Sequence, residues 1–227
     1  MVPLNLATYG SRSIDSATLP FILPSVAAAG YARSYQLMAT PITQVQMALG
    51  ATILRELVDR KRSGEKAFGA FSNRLWALSQ AGGAVAAVGL ALASGVIEDV
   101  LFGPKWPQVH VLIAATASLL PALTTAMFFT WLMQLDPKTG RSAGHLAVAL
   151  LSPAIIIGGA VVGQTQGAVI GALVAALVVP LGLCLLHRHL VPGSIKRFIA
   201  TSLATWLIVC ATVVAYASLS GFWEFSY

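Results

Sequence analysis

Charged residues are scarce in this sequence, and their scarcity limits the kind of protein it can be. Asp, Glu, Lys and Arg together make up 10% of the 227 residues, whereas soluble domains contain roughly 25%. Apolar residues reach 57%, and the mean hydropathy is +0.79. Too few charges are present to keep a globular surface in water. Because a surface that faces lipid needs almost no charge, the composition predicts an integral membrane protein.

Cysteine is rarer still, and the common catalytic motifs are missing. The two cysteines, Cys184 and Cys210, lie inside apolar runs, so we expect them to pack there rather than form a disulfide or a metal pair. The sequence has no glycine-rich loop of the Walker type and no G-x-S-x-G nucleophile turn. These absences argue against an enzyme that depends on such motifs.

The four histidines offer no metal site either. His110 and His145 lie near the ends of apolar runs without a Cys, Asp or Glu at metal-ligand spacing. His187 and His189 flank Arg188 in a basic loop, where anchoring at the membrane surface is the ordinary explanation. We therefore expect a protein that is not an enzyme, with no catalytic residues, no metal and no cofactor.

Long apolar runs are abundant, and their length matches the thickness of a membrane. Crossing the hydrocarbon core takes about 20 mostly apolar residues. The runs predict one membrane domain over residues 1–227, an all-α bundle of about seven transmembrane helices. The predicted spans are about 3–24, 26–54, 69–97, 107–134, 143–163, 167–187 and 198–221. A short hairpin at Gln164, Thr165 and Gln166 is needed, because 143–187 is far too long for a single span.

The net charge of +6 fits this topology better than it fits a nucleic-acid partner. If the N-terminus is cytoplasmic and the chain alternates, the outer loops contain one basic residue, Lys105, and the C-terminus lies outside. Cytoplasmic loops of membrane proteins collect Lys and Arg. Eleven of the fourteen basic residues then lie on the cytoplasmic side: Arg55, Arg60, Lys61, Arg62, Lys66, Arg74, Lys138, Arg141, Arg188, Lys196 and Arg197.

The fifth and sixth predicted spans carry glycines at a regular spacing. Gly159, Gly163, Gly167 and Gly171 recur at every fourth residue. Small residues at this spacing allow helix backbones to approach closely. We predict that these glycines pack helices together, and we assign them no other role.

The first two spans differ from the rest because each carries a polar stripe. Residues three or four positions apart share one face of a helix. In the first span the stripe consists of Asn5, Thr8, Arg12 and Asp15, and in the second of Arg33, Gln36, Thr40 and Gln44. A charge facing lipid at mid-bilayer costs about 3 kcal/mol or more, so these stripes are expected to face each other, other helices or water.

Two interpretations of the stripes remain open. In one, Arg12, Asp15 and Arg33 pair inside the bundle, or Arg12 reaches the membrane surface, and they do nothing else. In the other, the stripes line a wet and positively biased cavity for a polar or anionic substrate. Ionisable groups inside a membrane are functional candidates. We therefore expect six residues to line the candidate substrate cavity: Arg12, Asp15, Arg33, Gln36, Thr40 and Gln44.

Short motifs in the same region resemble a known family. They are the segment 11–15 (SRSID), an Ala29-Gly30-Tyr31 turn, the helix segment 35–41 (YQLMATP) and the outer-loop segment 101–106 (LFGPKW). Together they resemble the second half of the prokaryotic polysaccharide flippases, the O-antigen and capsule exporters of the multidrug/oligosaccharidyl-lipid/polysaccharide superfamily. The resemblance covers about residues 4–134. It departs from the family in segment 51–55 (ATILR), which lacks the proline that many members carry there.

The resemblance implies a function as well as a fold. It implies flipping of a lipid-linked polysaccharide or oligosaccharide precursor across the inner (cytoplasmic) membrane by alternating access, with lipids and the glycan as partners and no nucleic acid. In that setting Arg33 would attract substrate phosphate, and Asp15 would be the coupling or pairing carboxylate. A drug or small-solute exporter of the same superfamily and a non-transporting scaffold in glycan synthesis are the alternatives. A membrane glycosyltransferase would need a larger outer loop than 98–107.

A full flippase has two lobes that enclose the cavity, whereas this chain resembles only the second lobe with one additional span. A single lobe would leave its polar stripes facing lipid. We therefore expect a missing N-terminal lobe or a partner subunit.

Overall fold

The described part of the chain is entirely helical. The computed structural model describes residues 14, 17–103, 106, 109–135, 142–191 and 195–222, and these contain no strand. Its main helices, numbered here in chain order, are α1 (Ser25–Arg62), α2 (Glu65–Ile97), α3 (Val109–Ala117), α4 (Leu120–Gln134), α5 (Ser142–Leu186) and α6 (Ile195–Leu219). A short 3-10 helix, Leu19–Phe21, precedes α1, and a π-helical turn, Glu98–Phe102, continues α2.

Five described helical stretches are long and apolar enough to cross a membrane. They are Ser25–Arg62, Glu65–Phe102, Val109–Gln134, Leu146–Leu186 and Ile195–Leu219. Each overlaps at least one span predicted from the sequence, and Leu146–Leu186 overlaps two. The prediction of an all-α protein with several helices able to cross a membrane is confirmed. Most of the first predicted span, 3–24, lies outside the described residues.

Helix α5 bends back on itself at the position where the sequence requires a hairpin. Gly163 (φ −132°, ψ 23°) and Gln164 (φ 48°, ψ −130°) leave the helical conformation. The arms on either side, 142–162 and 165–186, run antiparallel. A methyl group added to Gly144 would lie 3.0 Å from Leu186, and one added to Gly182 would lie 3.1 Å from Val148. The break therefore begins one residue before the predicted segment, Gln164 to Gln166.

The regularly spaced glycines hold the two arms together near this bend. A Cβ atom on Gly159 would overlap the backbone carbonyl of Gly167, and one on Gly171 would lie 2.9 Å from the carbonyl oxygen of Ile155. Gly163 belongs to the bend instead and has no atom within 4 Å of such a Cβ. Three of the four glycines thus have the predicted packing role.

We expect Gly159→Ala to destabilise the protein strongly, because the new methyl group would push the two backbones of the α5 hairpin apart. Overpacking of this kind costs typically about 1–3 kcal/mol. Gly158→Ala is the matched control, because a Cβ at Gly158 meets nothing within 4 Å. The midpoint of thermal unfolding in detergent should fall for Gly159→Ala and stay near the parental value for Gly158→Ala. Equal midpoints for the two variants would contradict the close approach at Gly159.

The stretch Val109–Gln134 forms the centre of the bundle. In its most apolar 18 residues, 89% are buried, compared with 6% in the corresponding part of α1. The stretch is divided by a short turn at Ser118 and Leu119, after which Pro121 occupies the first turn of α4. Helices α1, α2, α5 and α6 pack around it. Helix α1 packs mainly on α2, α3 and α4, so it forms one side of the bundle.

The outside of the bundle is apolar and part of its interior is polar, as expected when lipid is the solvent. Helix α2 exposes Leu78, Val85, Leu92 and Val96 along one side. Inside, the side-chain amide of the buried Gln80 donates to the Thr125 hydroxyl at 2.8 Å. The buried polar side chains of the described residues are Ser34, Ser72, Gln80, Ser94, Thr116, Ser118, Thr124, Thr125, His187, Ser202 and Thr205.

Candidate functional site

Helix α1 packs on the bundle by one face near its beginning. Ala28, Tyr31, Ser34 and Met38 are buried and are spaced three or four residues apart, so they share that face. Gly30 allows close contact with α3, because a Cβ there would lie 3.0 Å from Val109 and 3.2 Å from Leu112.

The structure corrects the prediction of a turn at Ala29-Gly30-Tyr31. These residues lie inside α1, and the non-helical segment is Ile22 to Pro24. Pro24 is extended just before the helix begins (φ −51°, ψ 143°), and its ring fixes φ and removes a backbone N–H donor. Gly30 therefore serves helix packing rather than chain reversal.

The second polar stripe lies on the opposite side of α1 and is exposed along its whole length. At 3.6 residues per turn, Arg33, Gln36, Thr40 and Gln44 fall within one narrow sector of the helix, and all four are exposed. The Arg33 guanidinium donates to the Gln36 side-chain oxygen at 3.4 Å, so these two side chains already point the same way. The structure thus brings together four of the six predicted cavity residues.

The other two candidates, Arg12 and Asp15, lie outside the described residues. The alignment of the first stripe with the second, and an ion pair between Arg33 and Asp15, therefore remain predictions. Arg33 forms no ion pair with another described residue. Its bond to Gln36 leaves the positive charge uncompensated, because an amide oxygen carries no net charge.

The middle of α1 is covered by little of the described protein. After Met38 the next buried residue of the helix is Leu57, and Pro41 lies at the start of the uncovered segment. Val45, Met47 and Leu49 are 45%, 71% and 48% exposed. Arg33 lies before this segment on the same helix, and an arginine that faced lipid at mid-bilayer would cost about 3 kcal/mol. We conclude that the stripe requires water or another protein surface opposite it.

A second polar group, missed by the sequence reasoning, lies where α2 ends and α3 begins. A Glu98 side-chain oxygen lies 2.7 Å from Nδ1 of His110 and also accepts the backbone N–H of His110. The ring of Tyr216, from α6, lies 5.8 Å from the His110 ring. The two partners are 12 residues apart on either side of a turn, so no helical spacing signals the contact. The pair ties the end of α2 to the start of α3.

The described residues of the predicted outer-loop motif, 101–103 and 106, lie beside this pair. Leu101 and Phe102 end the π-helical turn, and Gly103 takes a positive φ of 69°, which glycine adopts without strain. The rings of Phe102 and Trp106 meet edge to face at 5.8 Å. Among the described residues, no group of three or more His, Cys, Asp or Glu side chains could hold a metal ion.

Comparisons of the chain with protein-family models, with curated proteins and with solved structures found no match. The likeness to the polysaccharide flippases therefore rests on the sequence motifs alone.

Proposed function

We propose that this chain is one lobe of a transporter that flips a lipid-linked polysaccharide or oligosaccharide precursor across the inner membrane. The observation that carries the proposal is the exposed stripe of Arg33, Gln36, Thr40 and Gln44 on one side of α1. The remaining exterior, by contrast, exposes large apolar side chains on α2, α5 and α6. A polar stripe with no described partner is what one wall of a substrate cavity requires.

The chemistry of the stripe suits a substrate of this class. Such a precursor has a hydrocarbon tail, a pyrophosphate and a sugar chain. Only the tail partitions favourably into lipid. Arg33 supplies a cation that can hold phosphate through two parallel hydrogen bonds. The amides and hydroxyl of Gln36, Thr40 and Gln44 can exchange hydrogen bonds with sugar hydroxyls. In this proposal Arg12 and Asp15 line the same cavity, with Asp15 as the pairing or coupling carboxylate.

The sign of the charge favours this substrate over a cationic drug. The described stripe contains one guanidinium and no carboxylate, whereas a cavity for cations would favour acidic side chains. The transport step requires no covalent chemistry. Rocking of two lobes about a central site, as in other alternating-access transporters, would move the substrate between the leaflets.

The proposed lobe has seven crossings. They are α1, α2, α3 with α4, the two arms of α5, α6 and the segment 3–24. The N-terminus is then cytoplasmic and the C-terminus is outside. This arrangement places the basic segment from Arg55 to Lys66 in the cytoplasm, as expected from the distribution of Lys and Arg in membrane proteins.

The proposed topology predicts different labelling at the two ends of α2. In a background carrying Cys184→Ala and Cys210→Ala, Asp99→Cys should react with a membrane-impermeant maleimide on intact cells, and Ser63→Cys should not. Both positions are exposed, so accessibility in the protein itself does not explain the difference. After permeabilisation both should react. Labelling at Ser63 but not at Asp99 in intact cells would reverse the topology.

Deletion of the gene in its native cell tests the function directly. We expect surface polysaccharide to be lost and the lipid-linked glycan to accumulate in the inner leaflet, because assembly continues while export stops. The intact gene should restore both properties. A cell that keeps its surface polysaccharide but becomes sensitive to cationic drugs would indicate a drug exporter instead, and would overturn the assignment.

A further inference from the structure

A cavity of about 640 Å³ lies at the end of the bundle where α1 ends and α2 begins. Four segments form its walls: the last residues of α1, the first turns of α2, the end of α4, and the segment that follows α5. Ligand sites in proteins have volumes of about 300–1,000 Å³, so the cavity is large enough for part of a small molecule. It is separate from the polar stripe, none of whose residues line it.

The lining of the cavity combines two kinds of surface. Lys61, Lys66, Asn73 and His189 supply hydrogen-bonding groups, of which the two lysines are charged. Phe68, Leu132 and Leu190 supply an apolar wall. A ligand that fits both must carry a polar, negatively charged group joined to a hydrocarbon portion.

The charge balance in the cavity is positive. Glu65 is its single carboxylate, against Lys61 and Lys66. Neither lysine forms an ion pair with another described residue. The Lys61 ammonium donates to the carbonyl oxygen of Leu135 at 3.4 Å, and because an ammonium has three donor hydrogens, it can still bind an anion.

The location of the cavity indicates which environment supplies the ligand. Its apolar wall continues a hydrophobic core cluster of the bundle, which contains Leu132 and Val191 and packs against Phe68 and Leu190. Its charged rim lies in the segment Lys61 to Lys66, where α1 ends and α2 begins. Because these helices are long and apolar enough to cross a membrane, we place this end of the bundle where lipid headgroups meet the acyl chains.

We propose that this cavity binds the phosphate headgroup of an anionic phospholipid. Lys61 and Lys66 hold the phosphate oxygens, Asn73 contributes a side-chain amide, and the glycerol and first methylene groups pack against Phe68 and Leu132. Lysine is a common phosphate-binding side chain, and basic pockets at the ends of transmembrane helices are known to take lipid headgroups. The proposal does not depend on the transport function.

The test uses the full chain purified in detergent. Binding is measured by native mass spectrometry and by thermal stabilisation on addition of phosphatidylglycerol, phosphatidylcholine or soluble inorganic pyrophosphate. We expect phosphatidylglycerol to bind and stabilise most. Lys61→Gln combined with Lys66→Gln should weaken its binding about tenfold or more. Each substitution removes a charge-assisted contact that supplies a large part of the binding free energy.

The matched control is Lys196→Gln combined with Arg197→Gln. It removes the same charge from exposed residues at the start of α6 that do not line the cavity. It should leave phosphatidylglycerol binding unchanged, whereas a general electrostatic effect would weaken binding equally in both double variants.

A second variant tests the cavity itself while keeping every charge. Ala70 lines the cavity and is exposed, so Ala70→Trp should fill part of the space and displace the lipid without disturbing the core. Unchanged phosphatidylglycerol binding in both Ala70→Trp and the lysine double variant would overturn the proposal. Binding of pyrophosphate as strong as that of phosphatidylglycerol would also overturn it, because the ligand would then be a soluble phosphate.

Discussion

Replacing Arg33 with alanine is expected to reduce glycan export to near background while the protein still inserts into the membrane. Arg33 is the one charged member of the described stripe, and it is exposed rather than built into the core. The substitution removes the cation that would hold substrate phosphate. A hydrogen bond to a charged group contributes about 1.5–3 kcal/mol, so its loss should slow transport roughly tenfold to a hundredfold. Arg33→Lys should retain part of the activity, since it keeps the charge but loses the paired donors.

The control for this prediction is Arg55→Ala. Arg55 is also exposed on α1 but lies near the cytoplasmic end of the proposed topology, so transport should change little. The measurement is the amount of surface polysaccharide per molecule of inserted protein, in cells that contain both lobes. If Arg33 served only folding, Arg33→Ala would lower expression and leave transport per inserted molecule normal. Parental export by Arg33→Ala would show that the cavity assignment is wrong.

The positions of the membrane helices could be predicted from the sequence because hydropathy reports the apolar parts of the chain directly. The ends of the helices could not. Predicted span 26–54 became α1, which continues to Arg62. Six of its eight added residues are charged, and Glu56 pairs with Arg60 one turn later at 2.7 Å. The helix ends at Ser63 and Gly64, where Gly64 has a φ of 114°. Helix propensity, rather than burial in lipid, sets that boundary.

The hairpin in α5 was predicted from the length of the apolar run rather than from helix propensity. The polar residues Gln164, Thr165 and Gln166 interrupt the apolar run there, but none of them is a helix breaker. The break was predictable only because one helix of 143–187 would be far longer than the membrane is thick. The glycine spacing predicted close packing, but it could not show that Gly163 would form the bend while Gly159 faced Gly167.

For the candidate site, periodicity predicted which polar residues share a face of α1 but not which way that face points. The exposed position of Arg33 and Gln36 depends on the opposite face, around Tyr31 and Met38, packing on the central helices. The contact between Glu98 and His110 could not be predicted, because it depends on how α2 and α3 meet. Long-range contacts of this kind leave no regular spacing in the sequence.

This chain is expected to be inactive by itself and to require a second lobe, either on the same polypeptide or as a separate subunit. The reason is the exposed side of α1. The stripe residues Arg33, Gln36, Thr40 and Gln44 are all exposed. In an isolated lobe they would face hydrocarbon, at a cost of about 3 kcal/mol or more for the Arg33 charge. Expressed alone in a strain that lacks its own O-antigen flippase, the chain should not restore surface polysaccharide. An intact flippase in the same strain serves as the positive control.

Crosslinking gives the same prediction a second readout that does not depend on transport. A cysteine in place of Gln44 lies on the proposed lobe interface, whereas one in place of Leu78 lies on the apolar side of α2, where 64% of the side chain is exposed. In native membranes a short thiol-to-amine crosslinker should join the Gln44→Cys variant to the second lobe, and Leu78→Cys should remain uncrosslinked. Capture at both positions would indicate nonspecific contact. Restoration of surface polysaccharide by a chain proven to be monomeric would refute the requirement for a second lobe, because the stripe would then function without a protein surface opposite it.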